Sequence, residues 1–310
     1  MADMKYILID WGTSSFRLWA IDQGGTIAVS HHEARGMSSL GPAEYEPFLE
    51  GYLASKGIGA EVPVLICGMA GAKQGWQEAP YVDLPTKLDT LLLAAVSVVS
   101  ATTRDIRILP GVAQRDARRP DVMRGEETIL LGAILQGANL QDDANRLFCL
   151  PGTHSKWVSI QQNMITTITT MMTGELFALL KHHSTLSPLL DDDGTSLSAH
   201  PAFHDGVVAG ADAPQDLPSL LFSIRSDALL NATDGKASLA RLSGLLIGAE
   251  LAAMRGYISG KVGLISQGAL ADLYKSAMSI LALSFEDIDS HEMVLSGLIY
   301  CADQIWREGP

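Results

Sequence analysis

Residues 5–22, KYILIDWGTSSFRLWAID, constrain the fold more than any other stretch. Tyr6, Ile7, Leu8 and Ile9 make a short apolar run of the kind a buried strand requires. Asp10 stands at its end, and Gly12, Thr13, Ser14 and Ser15 follow as a turn of small, polar residues. Phe16, Leu18 and Ala20 then alternate with Arg17, Trp19 and Ile21, close to the period of two expected of a second strand. Small residues let backbone N–H groups approach a ligand closely. Such a turn can cradle phosphate while Asp10 holds a metal ion, directly or through water. The same residues also satisfy an ordinary hairpin with a solvated Asp, so this stretch alone leaves both readings open.

A second copy narrows the choice. Residues 147–160, LFCLPGTHSKWVSI, again run from an apolar strand through Gly152-Thr153-His154-Ser155 into Lys156, Trp157, Val158 and Ile160. Both turns read G-T-x-S between two strands, which points to an internal duplication. Two such halves facing across a cleft would close two backbone cradles on one chain of phosphates. The copies are not equivalent, because Leu150-Pro151 precede the second glycine and no acid matches Asp10. Metal binding is therefore expected through the first copy alone.

The chain of 310 residues is long enough for one large domain or two of medium size. Its net charge of −13 argues against broad electrostatic binding to nucleic acid or an anionic membrane, which needs clustered Lys and Arg. One small anion held by local backbone dipoles stays compatible with it. Cys67, Cys149 and Cys301 each lie in an apolar run, an odd count that reads as reduced, buried thiols in a cytoplasmic protein. CxxC and HExxH spacings are absent, so zinc is not expected. The N-terminus enters a strand without a basic and apolar leader, and the apolar run 91–99 is shorter than the ~20 residues a bilayer needs.

Between the two turns, residues 26–30 suit a third strand, 45–56 a helix and 62–67 a buried strand after Pro63. That strand empties into Gly68-Met69-Ala70-Gly71-Ala72-Lys73-Gln74-Gly75-Trp76, where open α/β sheets place ligands. P-loop and GxGxxG spacings are missing, so this loop reads as part of a substrate pocket, with Lys73 for an anionic group and Trp76 as a wall. Residues 88–100 suit a helix, 106–109 a strand and 116–124 a charged loop. Gly125-Glu126-Glu127-Thr128 opens an apolar helix. Two carboxylates there suit the helix dipole, and either can also serve as a general base. After the second turn, 165–170 reads as a strand and 173–182 as a helix. The Asp191-Asp192-Asp193-Gly194 run lacks a trailing Glu and reads as a solvated turn. Residues 201–234 are mixed, with a helical patch at 220–230. Residues 238–255 form a strong helix in which Gly244 and Gly248 permit close approach by a helix or a ligand. Strand 262–266, the turn Gln267-Gly268 and helix 270–281 suit an adenine ring lying against exposed backbone. A last helix, 290–307, needs a packing partner, as between the two halves.

In order along nearly the whole chain, several blocks resemble the 2-dehydro-3-deoxygalactonokinase family of the actin-like ATPase superfamily. They are Asp10-Trp-Gly-Thr-Ser-Ser15, Gly68-Met-Ala-Gly71 with Gln74-Gly-Trp76 and Glu78-Ala-Pro-Tyr81, and Pro120-Asp-Val-Met-Arg-Gly-Glu-Glu-Thr128. Leu150-Pro-Gly-Thr-His-Ser-Lys-Trp157, Met172-Thr-Gly-Glu-Leu-Phe177 and Gly244-Leu-Leu-Ile-Gly-Ala-Glu250 complete the set. The resemblance implies an α/β, ribonuclease H-like fold with two similar lobes around a nucleotide cleft. Residues 1–125 with the C-terminal helix 291–310 would form the sugar-binding lobe and residues 126–290 the nucleotide-binding lobe. It further implies ATP-dependent phosphorylation of 2-dehydro-3-deoxy-D-galactonate at its 6-hydroxyl, with Mg²⁺. Asp10 would support the metal, through water; Gly12, Thr13, Ser14, Ser15, Gly152, Thr153, His154, Ser155, Lys156, Gly244 and Gly268 would bind ATP. Gly36, Met37, Gly68, Met69, Lys73, Gln74, Trp76, Tyr81 and Arg124 would contact the sugar acid, with Arg35 a further candidate cation. Many sugar kinases of the superfamily carry a catalytic Asp at the start of the second domain, where this chain has Glu126 and Glu127. A phosphohydrolase of the same superfamily and a non-catalytic sugar-acid sensor are the rival readings. The expected partners are the keto sugar acid and ATP, without nucleic acid or membrane. A homodimer is an open expectation, as is the choice between galacto and gluco epimers.

Overall fold

In a computed structural model, residues 3–137 and 145–307 are described. They group into two units, Met1–Asp143 with Gln161–Ile168 and Ser290–Pro310, and Ala144–Ile160 with Thr169–Asp289.

The first unit is built on strands β1 (Met4–Trp11), β2 (Phe16–Asp22), β3 (Ile27–Glu33), β4 (Val64–Gly68) and β5 (Ile106–Ile108). Their order is β3-β2-β1-β4-β5, and the short strand Val96–Ser97 lies beyond β5. β1, β2 and β3 are antiparallel neighbours, whereas β4 runs parallel to β1 and β5 parallel to β4. The central β1 is apolar on successive residues because both faces are covered. Helix α1 (Tyr45–Ser55) covers one face, burying Tyr45, Leu49 and Leu53 against Trp11, Phe16 and Ile9. Helices α2 (Glu126–Leu135) and α8 (Ser290–Ile305) pack on each other, and α8 also packs on β1 and β4. Glycines let these two helices meet: a Cβ at Gly297 would stand 2.1 Å from the Thr128 carbonyl.

The second unit repeats the pattern with β6 (Arg146–Leu150), β7 (Ser155–Gln161), the end of β8 (Met164–Met171), β9 (Val262–Ser266) and β10 (Phe285–Asp289). The order β10-β9-β6-β7-β8 matches the first sheet. β7 is again antiparallel to β6, and β9 and β10 again follow in parallel. Helices α3 (Thr173–His183), α4 (Pro201–Asp212), α5 (Leu217–Asn231), α6 (Gly235–Met254) and α7 (Gly268–Ile280) complete it. Helix α6 is long and apolar enough to cross a bilayer by length and composition, unlike the run 91–99, yet it is mostly buried in this unit's core.

Several local expectations are corrected. Residues 88–100 form a 3-10 segment, Leu88–Ala94, and the strand Val96–Ser97 instead of one helix. The stretch 116–124 contains a strand, Asp121–Met123, because it pairs with Val112–Gln114. The mixed region 201–234 is two helices, α4 and α5, and the short strand β10 had no distinct sequence signal. Helix α2, expected to open the second lobe, groups with the first unit through its packing on α8.

Candidate active site

Each G-T-x-S turn is held by a glycine from the segment after the third strand. In the first unit a Cβ at Gly36 would lie 2.3 Å from the Thr13 carbonyl oxygen and 2.4 Å from the Ser14 nitrogen. Met37 N–H donates to the Gly12 carbonyl at 3.0 Å, and Ser38 N–H to the Thr13 carbonyl at 2.9 Å. In the second unit a Cβ at Gly174 would lie 2.3 Å from the Gly152 carbonyl, and Glu175 N–H donates to the Thr153 carbonyl at 2.9 Å. Only glycine tolerates such approach, so both turns are fixed by the same device. Gly36 and Met37 thereby support the first turn from behind. Thr13, Ser14, Thr153 and His154 are at least part-exposed at the tips, and His154 meets Glu175 at 2.6 Å.

Asp10, at the end of β1, is buried and accepts a hydrogen bond from Arg17 Nη2 at 2.5 Å. The register makes this contact, since Asp10 and Arg17 are direct cross-strand partners. Burial raises the Asp10 pKa, while the charges of Arg17 and His291 and the Cys67 thiol oppose that rise. Gly68 closes over the same spot, where its Cβ would stand 3.4 Å from Asp10 Oδ1. Gly68 in turn meets Gly125, whose Cβ would lie 3.3 Å from the Gly68 Cα. That contact brings the start of α2 to the end of β1 and β4. Glu127 is buried there, with both carboxylate oxygens accepting the Gly125 N–H at 2.9 and 2.8 Å. Burial and the adjacent Glu126 charge push its pKa up to about 8. Glu126 is half-buried, and one of its oxygens accepts the Arg124 N–H at 2.9 Å.

A small sheet joins Tyr81 to Arg124. Val82 pairs in parallel with Val112, and Met123 pairs antiparallel with the same residue. The residues just outside, Tyr81 and Arg124, therefore flank Gly111 from opposite sides. A Cβ at Gly111 would press within 2.9 Å of the Tyr81 ring. The Arg124 guanidinium lies 4.4 Å over that ring and donates from Nη2 to the Ala79 carbonyl at 2.7 Å. Its Nε and Nη1 are buried without a hydrogen-bond partner. Lys73 and Gln74 are exposed, and Met69 is half-buried. Trp76 packs on Trp11 and stacks on Tyr45 at 5.8 Å, so it is part of the core of the first unit as much as a wall. Arg35 lays its guanidinium 4.6 Å over Phe48.

In the second unit the Ser155 hydroxyl is buried and meets the Tyr274 hydroxyl at 2.9 Å, so its side chain faces the core and not a ligand. Lys156 is buried at the start of β7. Gly268 opens α7 with a φ of +63°, and a Cβ there would meet nothing within 4 Å. Open space over a helix start suits a flat ring. Gly244 is accounted for differently: its Cβ would lie 2.3 Å from the Phe203 carbonyl, and Gly206, Gly210 and Gly248 make the matching approaches. The small residues of α6 thus serve close packing on α4.

The side chain that sequence reasoning did not single out is Glu250. It is buried in α6 and accepts from Trp157 Nε1 at 2.9 Å, from the Tyr274 hydroxyl at 2.8 Å and from the Thr173 hydroxyl. Burial raises its pKa, opposed by these donors. Its signal in the sequence is that it is the lone charged residue of the run 242–254.

Among the described residues, no group of three or more His, Cys, Asp or Glu could hold a metal ion unaided. Asp10 suits the alternative, a Mg²⁺ ion that keeps waters and binds phosphate oxygens with one or two carboxylates.

Twice-repeated strand order 3-2-1-4-5, with a glycine-locked turn after each first strand, defines an α/β protein of the ribonuclease H-like, actin-like ATPase class. The family model for 2-keto-3-deoxy-galactonokinase matches residues 10–301, and the chain belongs to that family. A Rhizobium meliloti (strain 1021) protein with the curated name Probable 2-dehydro-3-deoxygalactonokinase is 42% identical over 97% of each chain. The Escherichia coli (strain K12) 2-dehydro-3-deoxygalactonokinase is 32% identical over 89% of this chain and 90% of its own. A crystal structure from Sinorhizobium meliloti superposes with a TM-score of 0.92 at 41% identity, covering 98% of both chains.

Proposed function

We propose that the protein transfers the γ-phosphoryl group of ATP to the 6-hydroxyl of 2-dehydro-3-deoxy-D-galactonate, in the cytoplasm, as a step of galactonate breakdown. The observation that carries this reading is the pair of G-T-x-S turns, each locked by a glycine, with a buried carboxylate at the first. Backbone N–H groups of Gly12–Ser15 and Gly152–Ser155 hold phosphate oxygens, and Gly268 leaves room for adenine. Asp10 would hold Mg²⁺, through water, and the ion, when bound, would neutralise phosphate charge. Transfer of this kind depends mostly on positioning and charge stabilisation.

Glu126 accepts the proton of the attacking hydroxyl. Glu127 is less suited, because both its oxygens are engaged with the Gly125 N–H and it is almost wholly buried. Its part is to fix the start of α2, so that Glu126 is aimed. Arg124 receives the substrate carboxylate. A buried guanidinium with two unpartnered nitrogens is costly, and an anion offering two oxygens relieves that cost. Tyr81, stacked on Arg124, orients it, and Lys73 adds positive charge at the rim.

A coupled assay of ADP release, with and without the keto sugar acid of each epimer, tests the reading. ADP release that depends on the galacto acid is expected. Phosphate release without any sugar acid would replace the kinase by a phosphohydrolase, and no turnover would replace it by a sensor. Glu126→Gln should lower turnover by at least ~10²-fold while nucleotide still binds. Near-normal turnover in that variant removes Glu126 from the role.

A further inference from the structure

Glu250 joins elements that are far apart in the chain. Its side chain leaves the middle of α6 and meets one donor from β7, one from the first residue of α3 and one from α7. Ser155, the last residue of the second G-T-x-S turn, joins through the Tyr274 hydroxyl. These elements carry the proposed nucleotide contacts of this unit. Ser155 ends the turn and Trp157 lies two residues beyond it, Gly174 and Glu175 press on it from α3, and α7 begins at Gly268. A buried carboxylate is expensive unless its oxygens are paired, and here the pairing donors are neutral. A purely apolar residue of similar size would pack the same space, but it would not tie three elements to one point.

We infer that Glu250 is a positioning residue for nucleotide binding: it fixes the second turn relative to the N-terminus of α7, without touching ATP. The inference rests on the proposed placement of ATP phosphates at Gly152–Ser155 and of adenine at Gly268. Its loss would blur the distance between the phosphate cradle and the adenine platform, so nucleotide affinity falls. Contacts to the sugar acid, which come from the first unit, stay intact.

The decisive experiment is calorimetric binding of ADP to the full-length protein, in the absence of sugar acid and well below the unfolding temperature. Glu250→Ala should weaken ADP binding at least about tenfold, and Tyr274→Phe, which removes one donor and keeps the ring, about threefold. Glu250→Gln should stay near wild type, because its amide oxygen still accepts from Trp157 and the Thr173 and Tyr274 hydroxyls can rotate to accept from its nitrogen. Should Glu250→Ala fail to fold, Tyr274→Phe decides. Unchanged ADP affinity in the folded variants, with only a lower Tm, would overturn the inference and leave Glu250 a structural residue. Failure of the wild-type protein to bind ADP would overturn it as well. ADP binding that weakens as expected, in a protein with no turnover on the sugar acid, would uphold the inference while sinking the proposed reaction.

Discussion

The two G-T-x-S turns follow the same strand order and are locked by the same glycine device, yet each acquires its buried carboxylate by a different route. At the first turn the acid is Asp10, two residues before the glycine, and a cation on the partner strand balances it. At the second turn the matching position is Leu150, and the acid arrives from α6 as Glu250, balanced by neutral donors. The hairpins also differ by one residue: Trp11 pairs with Phe16 across four turn residues, whereas Leu150 pairs with Lys156 across five. A charged partner a few ångströms away lowers the cost of ionising a buried carboxylate; neutral donors hold it in place. On the proposed function, the first turn serves chemistry and the second grip.

The largest expected effect separates these roles. Asp10→Asn should cut turnover by roughly 10²–10³-fold, the scale of losing one preorganised electrostatic partner, with ADP affinity little changed by calorimetry. A loss of ADP affinity as large as the loss of turnover would mean that the first turn grips as the second does. Next come Gly36→Ala and Gly174→Ala. Each added methyl would press on a turn carbonyl at 2.3 Å, so each should destabilise by about 1–3 kcal/mol in urea unfolding. Similar values would confirm one shared device; a neutral result at either site would mark that turn as plastic.

A pH dependence follows from Glu127, which has no counterpart at the second turn. Its folded pKa of about 8 lies above the ordinary 4.5, so the folded state binds its proton more tightly than the unfolded chain. Its contribution to stability is therefore full below pH 4.5 and is lost as pH rises through 8. Between these limits stability should fall by roughly 1 kcal/mol per pH unit, and Glu127→Gln should flatten that slope in denaturant titrations. Glu250 acts in the same direction, so some slope persists in the variant. An identical slope with and without Glu127 would remove it as the source. The smallest effect belongs to His154→Ala. Its hydrogen-bonding contact with Glu175 is exposed, and its loss should cost no more than about 1 kcal/mol. A larger cost would show the second turn depending on its tip as well as on its buried hub.

Much of this architecture was legible in the sequence. Strand–turn–strand patterns declared both hairpins, since burial on both faces demands apolar runs and a tight turn demands small residues. The repeat of G-T-x-S declared the duplication. Less legible were segments whose structure depends on a remote partner. Residues 121–123 end a charged stretch and follow a proline, yet they form a strand because Val112–Gln114 lies alongside. Residues 88–100 are apolar enough for a helix but are drawn into a 3-10 turn and a strand that pairs with β5. Gly244 could have faced a ligand or a helix, and only the position of α4 decides for the helix.

The sequence by itself determined the duplicated α/β plan, the two turns and the acid at the first of them, because these rest on periodicity and residue size over a few neighbours. Tertiary structure alone decided which side chains meet. Arg17 reaches Asp10 through hairpin register, Tyr81 reaches Arg124 through strands on either side of Val112, and Glu250 reaches the second turn from α6. Each of those meetings is between residues whose distance in space no local pattern encodes, and each brings a buried charge against a partner.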